Sequence, residues 1–295
     1  MSGVRIPFHL VDVFTDHPLS GNQLCVVPDP VDLATETMQA VAREIGFSET
    51  TFVTEAGGDR YAMRIFTPGS ELPFAGHPTL GTAFVLVSEG RVTSPASQRL
   101  AAGEFAVEVD VASGFARMEQ LTPAFGPDEG ERREVAPALG LAVGDLDPDL
   151  PLQVVSTGVP YLVVPMTDLG ALTRAAPHQR DLPAVLETLD AVGCYLFALP
   201  DPDEPESGPR ARMFAPDIGV TEDAATGSAA GPLGAYLAEN GLIEPGRVAI
   251  TQGVEMGRPS TLLVDVDRAE GGDRWAIHVG GGVVKVGRGT FDLPG

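Results

Sequence analysis

Four polar side chains have residue types and positions that suit ligand binding or proton transfer: Glu49, His77, Asp223 and Ser228. His77 directly follows Gly76, Ser228 directly follows Gly227, and an apolar helix-like segment begins after each pair. The first N–H groups of a helix lack partners within the helix, and together with the helix dipole they bind carboxylate or phosphate. Two such helix starts could face one small anionic ligand.

Each of these residues also has an ordinary structural explanation, which the spacing alone leaves open. Gly76 and Gly227 could serve close packing or a positive φ. His77 could cap its helix or pack in the core, and Asp223, just ahead of the second helix, could compensate the helix dipole. Glu49 could be an exposed carboxylate.

The segments that carry His77 and Ser228 are similar in sequence. Both contain Arg-x-Phe-x-Pro, a Glu, a Gly and an apolar helix, as in 64–68, Glu71, Gly76 and 79–87, and again in 212–216, Glu222, Gly227 and 229–238. Each copy is typical of a strand, a loop and a helix. A repeat at about half the chain length predicts two copies of one domain, and the cleft between them is the expected site of chemistry.

Glu49 lies between two predicted elements. Apolar residues recur at helical spacing over 35–45, and Gly46 follows where a left-handed C-terminal cap belongs. A strand is predicted over 51–54. Glu49 therefore occupies a short helix-to-strand junction, and connections held on a rigid scaffold often carry function.

The remainder of the chain mixes strand and helix patterns with many hairpin signals, which indicates an α+β domain used twice. Residues 122–130 are rich in Pro, Gly and charge and are predicted to be a linker. Closing strands are predicted at 247–251, 261–266, 275–279 and 283–293. We expect one domain over 1–122 and a second over 130–280, with 283–293 returning to complete the first.

Composition excludes several function classes. The chain has 295 residues, 19 Lys and Arg against 41 Asp and Glu, and a net charge of −22. Such acidity argues against nucleic-acid and anionic-membrane partners, while a small anion at one local site remains possible. Cys25 and Cys194 lack metal or Cys-x-x-Cys spacing, and no apolar run reaches membrane length. We therefore expect a reduced, soluble, cytoplasmic protein without a metal.

The motifs resemble the PhzF family of phenazine-biosynthesis isomerases. The resemblance spans nearly the whole chain, and its segments are 20–22 (Ser-Gly-Asn), 46–50 (Gly-Phe-Ser-Glu-Thr), 64–68, 71–78 (Glu-Leu-Pro-Phe-Ala-Gly-His-Pro), 222–232 (Glu-Asp-Ala-Ala-Thr-Gly-Ser-Ala-Ala-Gly-Pro) and 252–260 (Gln-Gly-Val-Glu-Met-Gly-Arg-Pro-Ser). It implies two pseudo-symmetric domains like those of diaminopimelate epimerase, each a curved sheet or barrel around a central helix.

The resemblance also implies an activity and assigns residues to it. The family's known reaction isomerises trans-2,3-dihydro-3-hydroxyanthranilate by moving a proton between ring carbons, without a metal or organic cofactor. The proton-transferring glutamate corresponds to Glu49, and the side chains that contact substrate correspond to His77, Asp223 and Ser228, with the backbone of Gly76 and Gly227 near the substrate carboxylate. Proton transfer from carbon requires a carboxyl pKa raised toward neutrality, which partial burial provides.

Two alternatives keep the fold and change the function. The epimerase relatives use two opposed cysteines, one ahead of each repeat helix, but 73–75 and 224–226 contain none, so two-thiol racemisation on another small acid is disfavoured. A non-catalytic protein that binds small molecules on the same scaffold is the other. The substrate is not fixed by the sequence, beyond a small carboxylate. We also expect a homodimer.

Overall fold

The computed structural model describes residues 4–29, 32–73, 75–100, 103–128, 131–200, 208–269 and 274–293. Phe74 and residues 129–130 of the predicted linker lie outside the described residues. The chain divides into two compact units, Met1–Glu119 with Gly280–Gly295, and Gln120–Val279. We call them unit 1 and unit 2.

Unit 1 is a strand-rich body with two helices in its described part. Its elements are β1 (Val4–Val13), β2 (Asn22–Val27), α1 (Thr35–Ile45), β3 (Glu49–Gly57), β4 (Arg60–Phe66), β5 (Glu71–Leu72), α2 (Gly76–Ser88), β6 (Ala96–Leu100), β7 (Gly103–Asp110), β8 (Phe115–Glu119) and the second part of β17 (Trp275–Leu293). The strands pair in the order β1, β2, β3, β4, β6, β7, β8 and β17, and β17 pairs again with β1. The sheet of unit 1 therefore closes on itself as a barrel.

Unit 2 repeats this plan. Its elements are β9 (Ala124–Asp128), α3 (Arg132–Ala138), β10 (Gln153–Ser156), β11 (Pro160–Pro165), α4 (Leu169–Arg174), α5 (Asp181–Thr188), β12 (Gly193–Ala198), β13 (Arg210–Ala215), β14 (Val220–Asp223), α6 (Gly227–Glu239), β15 (Gly246–Gln252), β16 (Ser260–Arg268) and the start of β17. In unit 1, β1–β2 is antiparallel, β2–β3 parallel, β3–β4 antiparallel, β4–β6 parallel and β6–β7 antiparallel. The strands β10, β11, β12, β13, β15 and β16 repeat that sequence of pairings.

One helix is buried in each unit. Every residue of α2 from Gly76 to Leu86 is buried, as is every residue of α6 from Ala229 to Leu237. A helix that is apolar on all sides belongs in a core. Gly81 and Gly234 permit close packing of strands, because a Cβ atom would lie 2.6 Å from Leu24 in the first case and 2.6 Å from Val264 in the second. The predicted α+β architecture, with like halves built around central helices, is confirmed.

Three local predictions need correction. Residues 124–128 of the predicted linker form β9, which pairs with β10, so hydrogen bonding to a distant strand outweighs the turn-forming composition. The closing strands predicted at 275–279 and 283–293 are one 19-residue strand, β17. Strand β3 begins at Glu49 itself, two residues earlier than predicted, so Glu49 opens a strand. The predicted cap at Gly46 is confirmed by its φ of 69° and by its N–H bond to the Ala42 carbonyl.

Candidate active site

Unit 1 brings Glu49 and His77 into contact. Glu49 is the first residue of β3, which runs parallel to β2, and His77 is the second residue of α2. The His77 Nε2 atom lies 3.3 Å from the Glu49 Oε2 atom, with 5% of the histidine side chain and 12% of the glutamate side chain exposed. A carboxylate and an imidazole, 28 positions apart in sequence, thus face each other with a small opening to solvent.

His77 is held as a neutral imidazole. Burial lowers the pKa of His77 to about 3, against a smaller raising effect of a hydrogen bond with the Gln23 backbone. The ring therefore carries no charge at neutral pH. A neutral imidazole can donate one hydrogen bond toward a carboxylate or a substrate oxygen, but it does not supply a full positive charge.

A short hydrogen-bonded chain fixes the histidine ring. The Asn22 Nδ2 atom lies 3.3 Å from His77 Nδ1, and the Ser48 hydroxyl donates to Asn22 Oδ1 at 3.1 Å. Asn22 thus holds the imidazole at Nδ1, and the Nε2 atom faces Glu49. Neither Asn22 nor Ser48 was identified as a site residue by sequence reasoning, although both lie in the motifs of the family resemblance.

Unit 2 positions Asp223 in a dense hydrogen-bond network. Asp223 ends β14 and is 9% exposed. Its Oδ2 atom accepts a 2.6 Å hydrogen bond from the Thr226 hydroxyl. The fully buried Gln252 donates to the Asp223 carbonyl at 2.8 Å, and the Ser260 hydroxyl donates to the Ala224 carbonyl at 3.0 Å. The segment between β14 and α6 is therefore held on the turn that joins β15 to β16.

Ser228 occupies the position in α6 that His77 occupies in α2, directly after the first glycine of the helix. Its hydroxyl lies 2.9 Å from the Tyr161 hydroxyl, and Ser228 is partly exposed. The Gly227 carbonyl accepts a 2.9 Å bond from Gln120, whose amide oxygen in turn accepts from Thr157 at 2.6 Å. These bonds hold the first turn of α6 within unit 2.

The starts of α2 and α6 share two features that suit anion binding. Ala75 and Thr226 are their N-cap residues, and neither makes a side-chain cap hydrogen bond. The first turn of each helix also lacks acidic residues. Gly76 and Gly227 thus open helices whose own first turns carry no carboxylate and whose N-caps make no side-chain bond.

The repeated arginine and glutamate form equivalent pairs in the two units. Arg64 binds both carboxylate oxygens of Glu71, at 2.7 and 2.6 Å, and lies over the Phe66 ring at 5.0 Å. In unit 2, Arg212 binds both oxygens of Glu222, at 2.8 and 2.9 Å, and lies over the Phe214 ring at 4.8 Å. In each unit the repeated Arg–Glu pair therefore joins a strand to the segment ahead of the central helix.

The two cysteines are buried and are not nucleophilic. Cys25 lies in β2 and Cys194 in β12, and both are fully buried. Burial raises the pKa of each thiol to about 12. Since the thiolate is the reactive form, neither side chain suits proton abstraction from carbon.

In the described part of the chain, no three His, Cys, Asp or Glu side chains are grouped so as to hold a metal ion. Within the same residues, none of the helices is both long and apolar enough to cross a membrane.

The chain is similar to known proteins over nearly its whole length. The family model PhzC-PhzF, described as "Phenazine biosynthesis-like protein", matches residues 11–289. A trans-2,3-dihydro-3-hydroxyanthranilate isomerase from Pseudomonas fluorescens is 40% identical over 293 residues, covering 96% of this chain and 98% of that protein.

Two solved structures extend the comparison. A PhzF-family phenazine biosynthesis protein from Bacillus anthracis matches with a TM-score of 0.87 and 31% identity, covering 98% of this chain and 99% of that one. A probable proline racemase from Agrobacterium radiobacter matches with a TM-score of 0.65 and 13% identity, covering 98% of this chain and 93% of that one. At that identity the second likeness concerns the fold alone.

Proposed function

The chain belongs to the PhzC-PhzF family of phenazine biosynthesis-like proteins and is an isomerase, and we propose that Glu49 moves a proton between two carbons of a small carboxylate-bearing substrate. The observation that carries this proposal is the contact between Glu49 and the neutral His77 at 3.3 Å. A mostly buried carboxylate next to an uncharged imidazole can act first as a base and then as an acid.

The proton transfer proceeds in two steps. Glu49 accepts a proton from one carbon of the substrate, and the electrons of that C–H bond form a new double bond as the conjugated system shifts. The protonated Glu49 then returns a proton to another carbon of the same substrate. Atoms and electrons balance within the substrate, so the reaction consumes no oxidant, reductant or second substrate.

His77 has an orienting role in this proposal. Because its pKa is about 3, it stays neutral through the reaction and does not compete with Glu49 for the proton. Its ring, contacted by Asn22 at Nδ1 and by the Gln23 backbone, keeps the Nε2 atom beside the Glu49 carboxyl group.

Asp223 and Ser228 are proposed to bind the same substrate from unit 2, with the backbone N–H groups of Gly76 and Gly227 contacting its carboxylate. The uncapped starts of α2 and α6 support this assignment. Asp223 is an oxygen ligand suited to an amino or hydroxyl group of the substrate. The homodimer expected from the sequence stays a prediction, which sedimentation of the pure protein tests.

The substrate we propose to test first is trans-2,3-dihydro-3-hydroxyanthranilate, because a relative 40% identical to this chain is named as its isomerase. The pure protein should convert it, and in heavy water the product should carry one solvent deuterium at the carbon that receives the proton. A carboxylic acid exchanges its proton with solvent when the site opens, which is the reason for the label.

The Glu49→Gln protein should lose this conversion. Its matched control is Glu44→Gln, which makes the same chemical change at an exposed position of α1 five residues before Glu49 and should behave like the unaltered protein. Absence of conversion would reject this substrate. Conversion without any solvent deuterium would contradict transfer by an exchangeable carboxyl group.

A further inference from the structure

We infer that Thr226 and Gln252 are positioning residues for Asp223, joined to it by a hydrogen-bond chain whose direction is fixed at every step. The inference rests on the proposed role of Asp223 in binding substrate. Its members come from three elements: β12, the segment between β14 and α6, and the end of β15.

Gln252 is the centre of the chain. Its Oε1 atom accepts from the Tyr195 hydroxyl at 2.8 Å and from the Thr226 backbone N–H at 3.0 Å. Its Nε2 atom donates to the Asp223 carbonyl at 2.8 Å and to the Thr226 hydroxyl at 3.1 Å. Both lone pairs and both protons of the amide are therefore used within a fully buried site.

The orientation of this amide is determined by its neighbours. A backbone N–H can only donate and a backbone carbonyl can only accept, so Thr226 N–H requires the amide oxygen and the Asp223 carbonyl requires the amide nitrogen. Rotating the amide by half a turn would place two donors against each other and two acceptors against each other. Burial keeps the Tyr195 hydroxyl protonated by raising its pKa well above the usual value, so Tyr195 remains a donor.

The Thr226 hydroxyl continues the hydrogen-bond chain from Gln252 to Asp223. Since its hydroxyl oxygen accepts from Gln252, its own proton points to the Asp223 Oδ2 atom, 2.6 Å away. Thr226 is also the N-cap residue of α6, where a threonine hydroxyl ordinarily accepts from a first-turn N–H group. Here the hydroxyl does not cap the helix but donates to the carboxylate.

Two consequences follow for the proposed substrate site. The Asp223 Oδ2 atom is an acceptor of a fixed hydrogen bond, which selects one orientation of the carboxylate and stabilises its ionised form. At the same time the start of α6 keeps its N–H groups free of a side-chain cap. Thr226 thus orients the Asp223 carboxylate and also leaves the start of α6 open to the same ligand.

The test compares Thr226→Val, which has nearly the same shape and lacks the hydroxyl, with Thr226→Ser, which retains it. With trans-2,3-dihydro-3-hydroxyanthranilate as the probe, we expect Thr226→Val to lower kcat/KM by about 10- to 100-fold, the range typical of a lost hydrogen bond to a charged group. Thr226→Ser should recover most of the loss. Thr226→Ala replaces the valine variant if that protein does not fold.

A double-mutant cycle separates positioning from a general structural role. In the Asp223→Ala protein, Thr226→Val should change kcat/KM by less than about 2-fold, because its effect acts through Asp223. An equal loss in both backgrounds would overturn the inference. Unaltered kcat/KM for Asp223→Ala alone would instead remove Asp223 from the proposed function.

Crystal structures of the two variants provide a readout that needs no turnover. The Asp223 carboxylate should rotate away from its present orientation in Thr226→Val and should keep it in Thr226→Ser. An unchanged carboxylate in Thr226→Val would overturn the inference even if the enzyme acts on another substrate.

Discussion

His77 combines full burial, a lowered pKa and a carboxylate neighbour, and this combination makes a prediction for stability. The pKa of His77 is about 3 in the folded protein against a usual value of 6.5. Between these pH values the unfolded chain binds a proton that the folded chain does not, so the free energy of unfolding rises with pH. The contribution is complete above about pH 6.5 and is lost as the pH falls toward 3.

Substitution of His77 by asparagine removes this titration. We expect the free energy of unfolding of the unaltered protein to fall by on the order of 2 kcal/mol more than that of His77→Asn between pH 6.5 and 5, from urea denaturation at both values. Comparing the two proteins cancels the titration of the other groups. Equal losses would mean that His77 is protonated in the folded state.

At the residue scale, sequence reasoning identified groups by type but could not assign their partners. Glu49 and His77 were predicted through the family resemblance, and the structure places them in contact within unit 1. The residues that hold His77 and Asp223 in place were not predicted. Asn22 lies 55 positions from His77, and Gln252 lies 29 positions from Asp223. Such contacts depend on the pairing of distant strands, which a local pattern does not encode.

At the scale of elements, the two Arg–Glu pairs are alike in geometry and differ in burial. The side chains of Arg212 and Glu222 are 8% and 18% exposed, against 30% and 40% for Arg64 and Glu71. Arg212 also donates to the carbonyls of Leu172, Thr173 and Ala175 at the end of α4, at 3.0, 3.2 and 2.8 Å. Arg64 donates instead to the Thr35 hydroxyl at 3.0 Å, so the pair in unit 2 is the more buried one and the one bonded to backbone carbonyls.

We expect Arg212→Met to destabilise the protein by about 3–5 kcal/mol, because it leaves a mostly buried carboxylate and three backbone carbonyls without their partner. Arg64→Met should cost about 1 kcal/mol or less in ion-pair energy, since the exposed pair is screened by water. Each change also removes one arginine–phenylalanine contact, so that contribution is similar in both. Urea denaturation measures the difference, and equal losses would show that burial of the Arg212 pair does not matter.

The prediction of elements succeeded where a local signal agreed with the tertiary structure. The cap at Gly46, the strand before each repeat and the apolar central helices all have such signals. It failed within 122–130, where Pro and Gly indicated a linker and residues 124–128 instead form β9. Strand β9 forms because Phe125 and Asp128 pair with Val155 and Gln153 of β10.

At the scale of the whole molecule, the last strand returns to the unit in which the chain began. From Val283 to Leu293, β17 pairs with β1 along its full length, Val4 to Val13, with one irregularity at Leu10 and Val11. Within unit 1 this pairing closes the barrel, so β1 would become an unprotected edge if the strand were absent. A terminal segment of this kind is integral to the fold.

A chain ending at Val279 should therefore lose hydrogen-exchange protection across β1 and β2, while the amides of α6 keep theirs. A chain ending at Leu293 is the matched control and should retain the protection of the full-length protein. Undiminished protection of β1 in the shorter chain would contradict the role assigned to β17.

The family predicted from scattered motifs is confirmed, as is the predicted fold, because those motifs span nearly the whole chain and recur in a fixed order. The identity of the substrate could not be predicted in the same way. The side chains and helix starts proposed to bind substrate suit a carboxylate and a polar substituent, and these groups are common to many small acids.

The central claim is that Glu49 transfers the proton, and the turnover number of Glu49→Gln tests it most directly. Glutamine keeps the shape of the side chain and loses the basic oxygen, and general acid–base catalysis typically contributes about 10²–10⁴-fold. We predict that Glu49→Gln loses at least about 100-fold in kcat on trans-2,3-dihydro-3-hydroxyanthranilate while Glu44→Gln does not, and that it still binds 3-hydroxyanthranilate, a stable analogue. Near-normal kcat for Glu49→Gln would contradict the claim and transfer the role to another residue, with Asp223 the next to test.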